Sequence, residues 1–184
     1  MKIFCLESDW EETNLKSRKS VGALFQYLEE VLESSQFHYI HRRVPTKESL
    51  CYYLDLFRRK KYSKYDVLYL GMHGSGGLLH FVGGEQISLE EMSELYAGAF
   101  KDVLVHFGSC STLKVASERI ETFKRNTGAR YVSGYTKDVD FIESAMLEMG
   151  YLSWIDEYQK RGYLGERMRK EYSELVKRLG FVFH

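Results

Sequence analysis

The chain has 184 residues, of which 44% are hydrophobic and 28% charged, enough for one buried core and too few for two full domains. Lysine plus arginine equals aspartate plus glutamate at 26 each, so no net charge favours nucleic acid or an anionic membrane surface. With no signal peptide and no apolar run near the roughly 18 residues of a spanning helix, we expect a soluble, cytoplasmic, single-domain protein over residues 1–184.

The first third of the chain alternates predicted strands and helices. Residues 2–6 predict a buried strand, and no glycine-rich phosphate loop follows it, which argues against a nucleotide site. Apolar residues at three- and four-residue steps predict an amphipathic helix over residues 20–32. Residues 37–44 predict an edge strand closed by Pro45, and Thr46 is expected to cap the next helix. That helix directs these side chains toward the core: Leu50, Tyr53, Leu54 and Phe57.

Two short apolar runs in the centre of the chain each lead to a reactive residue. The run 67–70 leads into His73, and the run 103–107 leads through Gly108 into Cys110. Parallel neighbouring strands end at one edge of an open α/β sheet, where such sheets bind their ligands. The pattern therefore predicts that His73 and Cys110 face one crevice.

The segments around and after these runs carry turn and cap signals. Residues 78–87 predict a hairpin around Gly83-Gly84, after a turn at His73. Ser88 with Glu91 forms a capping box that starts a helix through Tyr96. Residues 115–125 predict a helix that stops at 126–128, and residues 130–133 predict a strand.

The C-terminal part completes an alternating pattern. Asp140 with Glu143 opens a helix through about Tyr158, which Gly162 and Gly165 are expected to break. A last amphipathic helix then leads to a terminal strand at residues 181–183. Its apolar face carries Met168, Tyr172, Leu175 and Val176. About six strands with helices on both sides predict a three-layer α/β/α sandwich with a mostly parallel sheet.

Cys110 and His73 are a candidate nucleophile and acid/base. A thiol attacks a carbonyl as the thiolate, and the dipole of a helix that follows a strand, or a neighbouring imidazole, can assist it. The backbone N–H groups of Gly74 and Cys110 are candidates to hold a developing oxyanion. The alternatives are a core cysteine and a turn histidine. Cys5 and Cys51 are expected to be buried thiols, and no metal site is predicted because no histidine or cysteine has ligand spacing.

The order of these motifs over residues 65–145 resembles the caspase-like (clan CD) cysteine peptidases, and most of all their CHAT branch. The shared pattern is a strand, His73-Gly74, a glycine-rich hairpin, a helix after residues 87–89, a strand, Gly108-Ser109-Cys110-Ser111-Thr112, a helix and residues 128–134. The resemblance implies a single caspase–hemoglobinase domain, with Cys110 as nucleophile, His73 as acid/base and no metal or organic cofactor. It implies an endopeptidase that forms a thioester acyl-enzyme.

The chain departs from the family pattern in two ways. CHAT domains are commonly fused to helical repeats, and none stands in these residues, so recruitment would depend on a partner or on the crevice. Aspartate-specific relatives need a basic pocket, whereas Asp9 follows the first strand here. Related arginine- or lysine-specific enzymes use pocket carboxylates, so Asp9, with Asp138 or Asp140 after the fifth strand, is a candidate to bind a basic P1 side chain. Asp140 as a helix cap and Asp9 as a surface residue are the alternatives.

The sequence thus predicts a cysteine endopeptidase with a protein or peptide substrate, a basic P1 preference and regulation by a protein partner. Neither nucleic acid nor a membrane is expected as a partner. The alternative is a catalytically silent caspase-like module that acts as a protein-interaction or regulatory domain. A flavodoxin-like small-molecule binder also fits the strand–helix alternation, although the phosphate loop is missing.

Overall fold

The computed structural model describes residues 1–32, 37–157 and 161–184. In chain order, its strands and helices are β1 (Lys2–Glu7), α1 (Gly22–Val31), β2 (His38–Arg43), α2 (Lys47–Phe57), β3 (Val67–Gly71), β4 (His73–Ser75), β5 (Leu78–His80), β6 (Gln86–Ser88), α3 (Leu89–Leu95), β7 (Leu104–Phe107), α4 (Ser117–Thr127), β8 (Tyr131–Tyr135), α5 (Phe141–Glu157), α6 (Leu164–Glu171), α7 (Ser173–Leu179) and β9 (Phe181–Phe183).

Six strands form one mixed sheet in the order β2-β1-β3-β7-β8-β9. The first five are parallel, and β9 runs antiparallel to β8. The register places Glu7 beside Gly71 and Leu70 beside Phe107, so β1, β3 and β7 end at one edge of the sheet. This confirms the predicted α/β architecture with a mostly parallel six-stranded sheet.

The sheet separates two apolar layers. Successive side chains of β3 alternate between them, with Leu68 and Leu70 on one face and Val67 and Tyr69 on the other. Helices α2, α3 and α4 cover the first face, and α1, α5, α6 and α7 cover the second. Strands that are buried on both faces need the continuous apolar runs found in the sequence. No helix within the described ranges is both long and apolar enough to cross a membrane.

Local capping fixes the helix boundaries, as predicted. Thr46 accepts the backbone N–H of Ser49, whose side chain accepts from the backbone of Thr46, so α2 begins with a capping box. Ser88 accepts one first-turn N–H of α3, and Asp140 accepts two first-turn N–H groups of α5. Helix α4 ends at Gly128, whose φ of 78° is the left-handed conformation that glycine adopts without strain.

The segment predicted as a turn at His73 is instead strand β4. It pairs with β5, which also pairs with β6, so the predicted hairpin is part of a three-stranded antiparallel sheet. Glycines are depleted in strands, and the glycine-rich sequence therefore favoured a turn. The true turn lies at Gly76-Gly77, where both residues have positive φ.

Two predictions for the C-terminal helices are wrong. The single last helix is divided into α6 and α7 at Tyr172, whose φ and ψ of −121° and 36° are not helical. Gly165 does not break a helix, because it lies buried within α6. A Cβ at this position would lie 2.9 Å from the Cβ of Phe183, so glycine allows α6 to approach β9 closely. The predicted helix end at about Tyr158 lies outside the described residues.

Candidate functional site

His73 and Cys110 line one cavity at the edge where β1, β3 and β7 end. The cavity has a volume of 530 Å³ and lies between α1 and α5. His73 is exposed and follows β3, whereas Cys110 is partly buried in the turn after β7. The structure thus brings together the two residues that the apolar runs had placed at the sheet edge.

Backbone contacts fasten β4 to the turn that contains Cys110. The N–H of Gly76 donates to the Ser111 carbonyl at 3.0 Å, and the N–H of Gly77 donates to the Thr112 carbonyl at 2.9 Å. A Cβ at Gly74 would lie 2.0 Å from Oγ1 of Thr112 and 2.9 Å from the Cys110 carbonyl oxygen. Glycine is therefore required at position 74 for this close approach.

The His73 ring is oriented by a backbone carbonyl. Its Nε2 donates a hydrogen bond to the Trp10 carbonyl at 2.9 Å. The ring also packs edge-on against the Trp10 indole, with centroids 5.5 Å apart and an angle of 75° between the planes. With Nε2 as the donor, neutral His73 presents Nδ1 as a proton acceptor.

The loop that carries Trp10 is held by the buried carboxylate of Glu7. The Trp10 indole N–H donates to Glu7 at 2.5 Å, and the backbone N–H of Val21 donates at 2.8 Å. His41 contacts the second carboxylate oxygen at 2.6 Å, and the Arg43 guanidinium lies 3.0 Å from it. Burial acts to raise the pKa of Glu7, but the hydrogen bonds, led by His41 and Trp10, hold it below its ordinary value.

The Cys110 thiol lies beside the residue that precedes the cap of α5. Its Sγ accepts the backbone N–H of Val139 at 3.4 Å and contacts the Val139 carbonyl at 3.8 Å. The predicted assistance from the helix after the strand is not present, because α4 begins only at Ser117. The next residue, Ser111, has a φ of 43°, which is uncommon for a side-chain-bearing residue and is typical of strained functional turns.

The two residues whose N–H groups are expected to bind an oxyanion lie on segments that pack together. Gly74 packs on the Cys110 carbonyl, as described above. Within the described part of the chain, no acceptor contacts the N–H of Cys110. The N–H of Ser111 is already used, because it donates to the Lys137 carbonyl at 2.8 Å.

The three predicted pocket acids have different surroundings. Asp140 lines the cavity and also caps α5, so the alternative interpretation as a helix cap is confirmed. Asp138 accepts a hydrogen bond from the Ser111 hydroxyl at 2.7 Å and supports the turn next to Cys110. Asp9 forms an ion pair with Arg43 and is not among the described residues that line the cavity.

The family of the chain follows from its whole length. One family model, described as a family of unknown function (DUF6642), matches residues 1–184. The chain belongs to DUF6642. No curated protein matches it.

In this DUF6642 chain, the cavity has apolar walls and one polar stripe. Asp140, which caps α5, and Ser144 and Glu148 within α5 follow one another at four-residue steps and form the stripe. The apolar walls come from both helices: Val21, Leu24, Tyr27, Phe141, Ala145 and Met149. Glu148 is not among the site residues predicted from the sequence. The four-residue spacing from the predicted cap at Asp140 is the signal that could have found it.

Glu148 is the centre of a buried polar network. Its carboxylate accepts hydrogen bonds from the hydroxyls of Tyr69 at 2.6 Å and Tyr135 at 2.8 Å, and Nε2 of His106 lies 3.2 Å away. Burial and the negative charge of Glu148 raise the pKa of both tyrosines well above the ordinary value. The other ring nitrogen of His106 contacts the Ser133 hydroxyl at 2.9 Å, so both ring nitrogens of His106 have hydrogen-bond partners.

The described side chains offer no evident metal site. Within residues 1–32, 37–157 and 161–184, no group of three or more histidine, cysteine, aspartate or glutamate side chains is arranged to hold a metal ion. The groups of this DUF6642 cavity that carry reactivity of their own are the Cys110 thiol and the His73 imidazole, which line it together.

Proposed function

We propose that this DUF6642 chain is a cysteine endopeptidase in which Cys110 is the nucleophile and His73 the acid/base. The observation that carries the proposal is that both side chains line one cavity at the ends of adjacent strands. The hydrogen bond from His73 to the Trp10 carbonyl supports an orienting role of the kind seen for catalytic histidines.

The reaction follows from the groups around the thiol. The Cys110 thiol transfers its proton to Nδ1 of His73, and the thiolate attacks the carbonyl carbon of the scissile peptide. The N–H groups of Cys110 and Gly74 hold the oxyanion of the tetrahedral intermediate. The C–N bond then breaks, the leaving amine takes the proton from His73, and a thioester remains. A water molecule, deprotonated by His73, hydrolyses the thioester and regenerates the thiol.

The choice of a peptide substrate rests on the resemblance to caspase-like peptidases. The mostly parallel six-stranded sheet and the hairpin after its third strand agree with what that resemblance implies.

We also place the enzyme in the cytoplasm, because all three cysteines, Cys5, Cys51 and Cys110, are free thiols.

The alternative is a catalytically silent module that binds and regulates a protein partner. One observation favours it. The Cys110 thiol contacts both the N–H and the carbonyl of Val139, so the sulfur is already engaged without His73. A silent thiol of this kind should react no faster than an ordinary exposed cysteine.

Covalent labelling tests the dyad. Peptidyl acyloxymethyl ketones react with an active-site thiolate, which displaces the carboxylate leaving group and forms a thioether. We expect one label per wild-type molecule by intact mass, and loss of at least about 100-fold in labelling rate in Cys110→Ala and His73→Ala.

Two internal controls accompany the labelling experiment. Cys51→Ala removes a partly exposed thiol outside the cavity and should label at the wild-type rate. Burial, together with the charges of Glu7 and Glu148, raises the pKa of Cys5 well above its ordinary value, so Cys5 stays an unreactive thiol. Undiminished labelling in His73→Ala would overturn the dyad, and equal rates for Cys110 and a free thiol peptide would favour the silent module.

A further inference from the structure

The cavity beside Cys110 suits a long side chain with an apolar stem. Its volume of 530 Å³ lies in the range of ligand pockets and exceeds what one small residue would fill. Val21 and Leu24 of the α1 side face Ala145 and Met149 of α5 across it. Walls of this kind pack well against methylene groups, and lysine and arginine bury such stems while their heads find polar partners.

A buried carboxylate with one unused acceptor position lines the same cavity. Glu148 is only 2% exposed. A carboxylate offers about four acceptor positions, and three of those on Glu148 are filled, by Tyr69, Tyr135 and His106. Among the described residues, no lysine or arginine contacts Glu148. His106 is the side chain that can pair with its charge among the described residues, and the unused acceptor position favours a further charge-assisted contact from a lysine or arginine head outside the chain.

The other charged groups at the cavity reinforce this preference. Asp140 lies two helical turns from Glu148 on the same face of α5, at the end nearer Cys110. Lys19 is the cation among the described lining residues, and its ammonium is paired with Glu11 at 2.5 Å. The raised pKa of the buried Tyr69, to which the charge of Glu148 contributes after burial, is consistent with a negative potential there.

We propose that this cavity is the P1 pocket of the enzyme and takes a lysine or arginine side chain, with Glu148 binding the cationic head and Asp140 near the entrance. This inference rests on the proposed function and assigns its substrate class. An apolar P1 residue would fit the walls but leave Glu148 without a cation, and an aspartate would be repelled by both carboxylates. The basic preference expected from the sequence is kept, but its main acid becomes Glu148 instead of Asp9 or Asp138.

Matched probes test the charge preference. Acyloxymethyl ketones with the same peptide and lysine, arginine, norleucine or aspartate at P1 are compared on the wild type and Glu148→Gln. We expect the wild type to react with the lysine and arginine probes at least about 10-fold faster than with norleucine. In Glu148→Gln the basic probes should lose about 10- to 100-fold in rate, while the norleucine rate changes less than about threefold. Equal wild-type rates for norleucine and lysine would overturn the pocket assignment.

A binding measurement separates the pocket from catalysis. In Cys110→Ala, which cannot react, calorimetry compares acetyl-arginine amide with acetyl-norleucine amide. Preferential binding of the arginine compound, lost in Cys110→Ala/Glu148→Gln, supports the pocket even when no probe labels the wild type. Equal or no binding of both compounds overturns it, whatever the labelling of Cys110, so failure of the pocket and failure of the dyad are distinguishable.

A second variant covers the possibility that Glu148→Gln disturbs the buried network. Ala145→Phe fills the cavity from α5 without altering a hydrogen bond of Glu148. We expect it to slow reaction with the arginine probe at least about 10-fold more than alkylation of Cys110 by iodoacetamide, which needs no P1 pocket. Wild-type reaction of Ala145→Phe with the arginine probe would place the P1 side chain elsewhere.

Discussion

At the scale of single residues, Glu7 connects the stability of the fold to the position of His73. It touches no part of the proposed dyad, yet it accepts the Trp10 indole N–H, and the Trp10 carbonyl in turn accepts from His73. Five donors converge on this one buried carboxylate, so the loop after β1 is held by charge-assisted hydrogen bonds. The deprotonated form of Glu7 is therefore the form that the fold requires.

We predict that Glu7 makes stability depend on acidic pH. Its pKa in the folded chain lies below the ordinary value of about 4.5, so it stabilises the fold fully above roughly pH 5.5, and this contribution is lost as pH falls through the lowered pKa. Urea midpoints measured from pH 3 to 7 for the wild type and Glu7→Gln should differ most at pH 7 and converge toward pH 3. The exposed Glu94→Gln is the matched control and should follow the wild type at every pH. A difference between wild type and Glu7→Gln that does not vary with pH would contradict this account.

At the scale of elements, the contact between β4 and the Cys110 turn holds the strand that carries His73 against the turn that carries Cys110. We predict that Gly74→Ala separates them, because the new methyl group would overlap Oγ1 of Thr112. The expected result is a loss of about 1–3 kcal/mol in the free energy of unfolding and at least about 100-fold in the labelling rate of Cys110. Thr112→Ala, combined with Gly74→Ala, should restore part of the rate by removing the nearest clashing atom.

Gly83→Ala is the matched control for the β4 contact. Gly83 has a φ of 77°, and no neighbouring atom lies within 4 Å of the point that an alanine methyl group would occupy, so alanine there is strained but meets no clash. Its stability should fall by roughly 1 kcal/mol while labelling of Cys110 stays at the wild-type rate. Equal loss of labelling in both glycine variants would show that stability, and not the β4 contact, controls the thiol.

The elements that sequence reasoning located correctly are those whose signals are local. Thr46, Ser88 and Asp140 cap helices through their own side chains, and their positions fixed three helix starts. Strand β4 and the break at Tyr172 were missed because both depend on tertiary packing. The pairing of β4 with β5 overrides the turn preference of the glycine in β4. The backbone of Tyr172 is not helical, although no glycine or proline beside it indicates a helix end.

At the scale of the whole molecule, the candidate site could be predicted only in part. His73 and Cys110 follow apolar runs, so strand order alone brings them to one edge of the sheet. The contact of His73 with the Trp10 carbonyl could not be predicted from residue types, because every residue has a backbone carbonyl. Glu148 resembles any helical glutamate until the packing of α1 against α5 shows that its face of α5 lines the cavity. Asp9, Asp138 and Asp140 were suggested because they follow strand ends, and of these Asp140 lines the cavity. Glu148, the other acid in the cavity, projects from α5 and follows no strand end.

The two apolar layers should unfold together if the chain is one domain, as its length predicts. Both tryptophans, Trp10 and Trp154, pack against the layer covered by α1 and α5. Tryptophan fluorescence therefore reports that layer, whereas far-UV circular dichroism reports the whole chain. Leu54 of α2 lies in the opposite layer and Leu28 of α1 in the same layer as the tryptophans, and both are buried.

We predict that Leu54→Ala and Leu28→Ala each lower the free energy of unfolding by roughly 2–5 kcal/mol, because each leaves a cavity in a packed layer. The central sheet contributes side chains to both layers. A loss of packing in either layer should therefore shift the unfolding transition of the whole chain. The urea midpoints from fluorescence and from circular dichroism should coincide in the wild type and in both variants. A Leu54→Ala protein whose circular dichroism transition moves while its fluorescence transition stays at the wild-type midpoint would mean that the two layers unfold separately. The cavity between α1 and α5 would then belong to a unit whose stability does not depend on α2, α3 and α4.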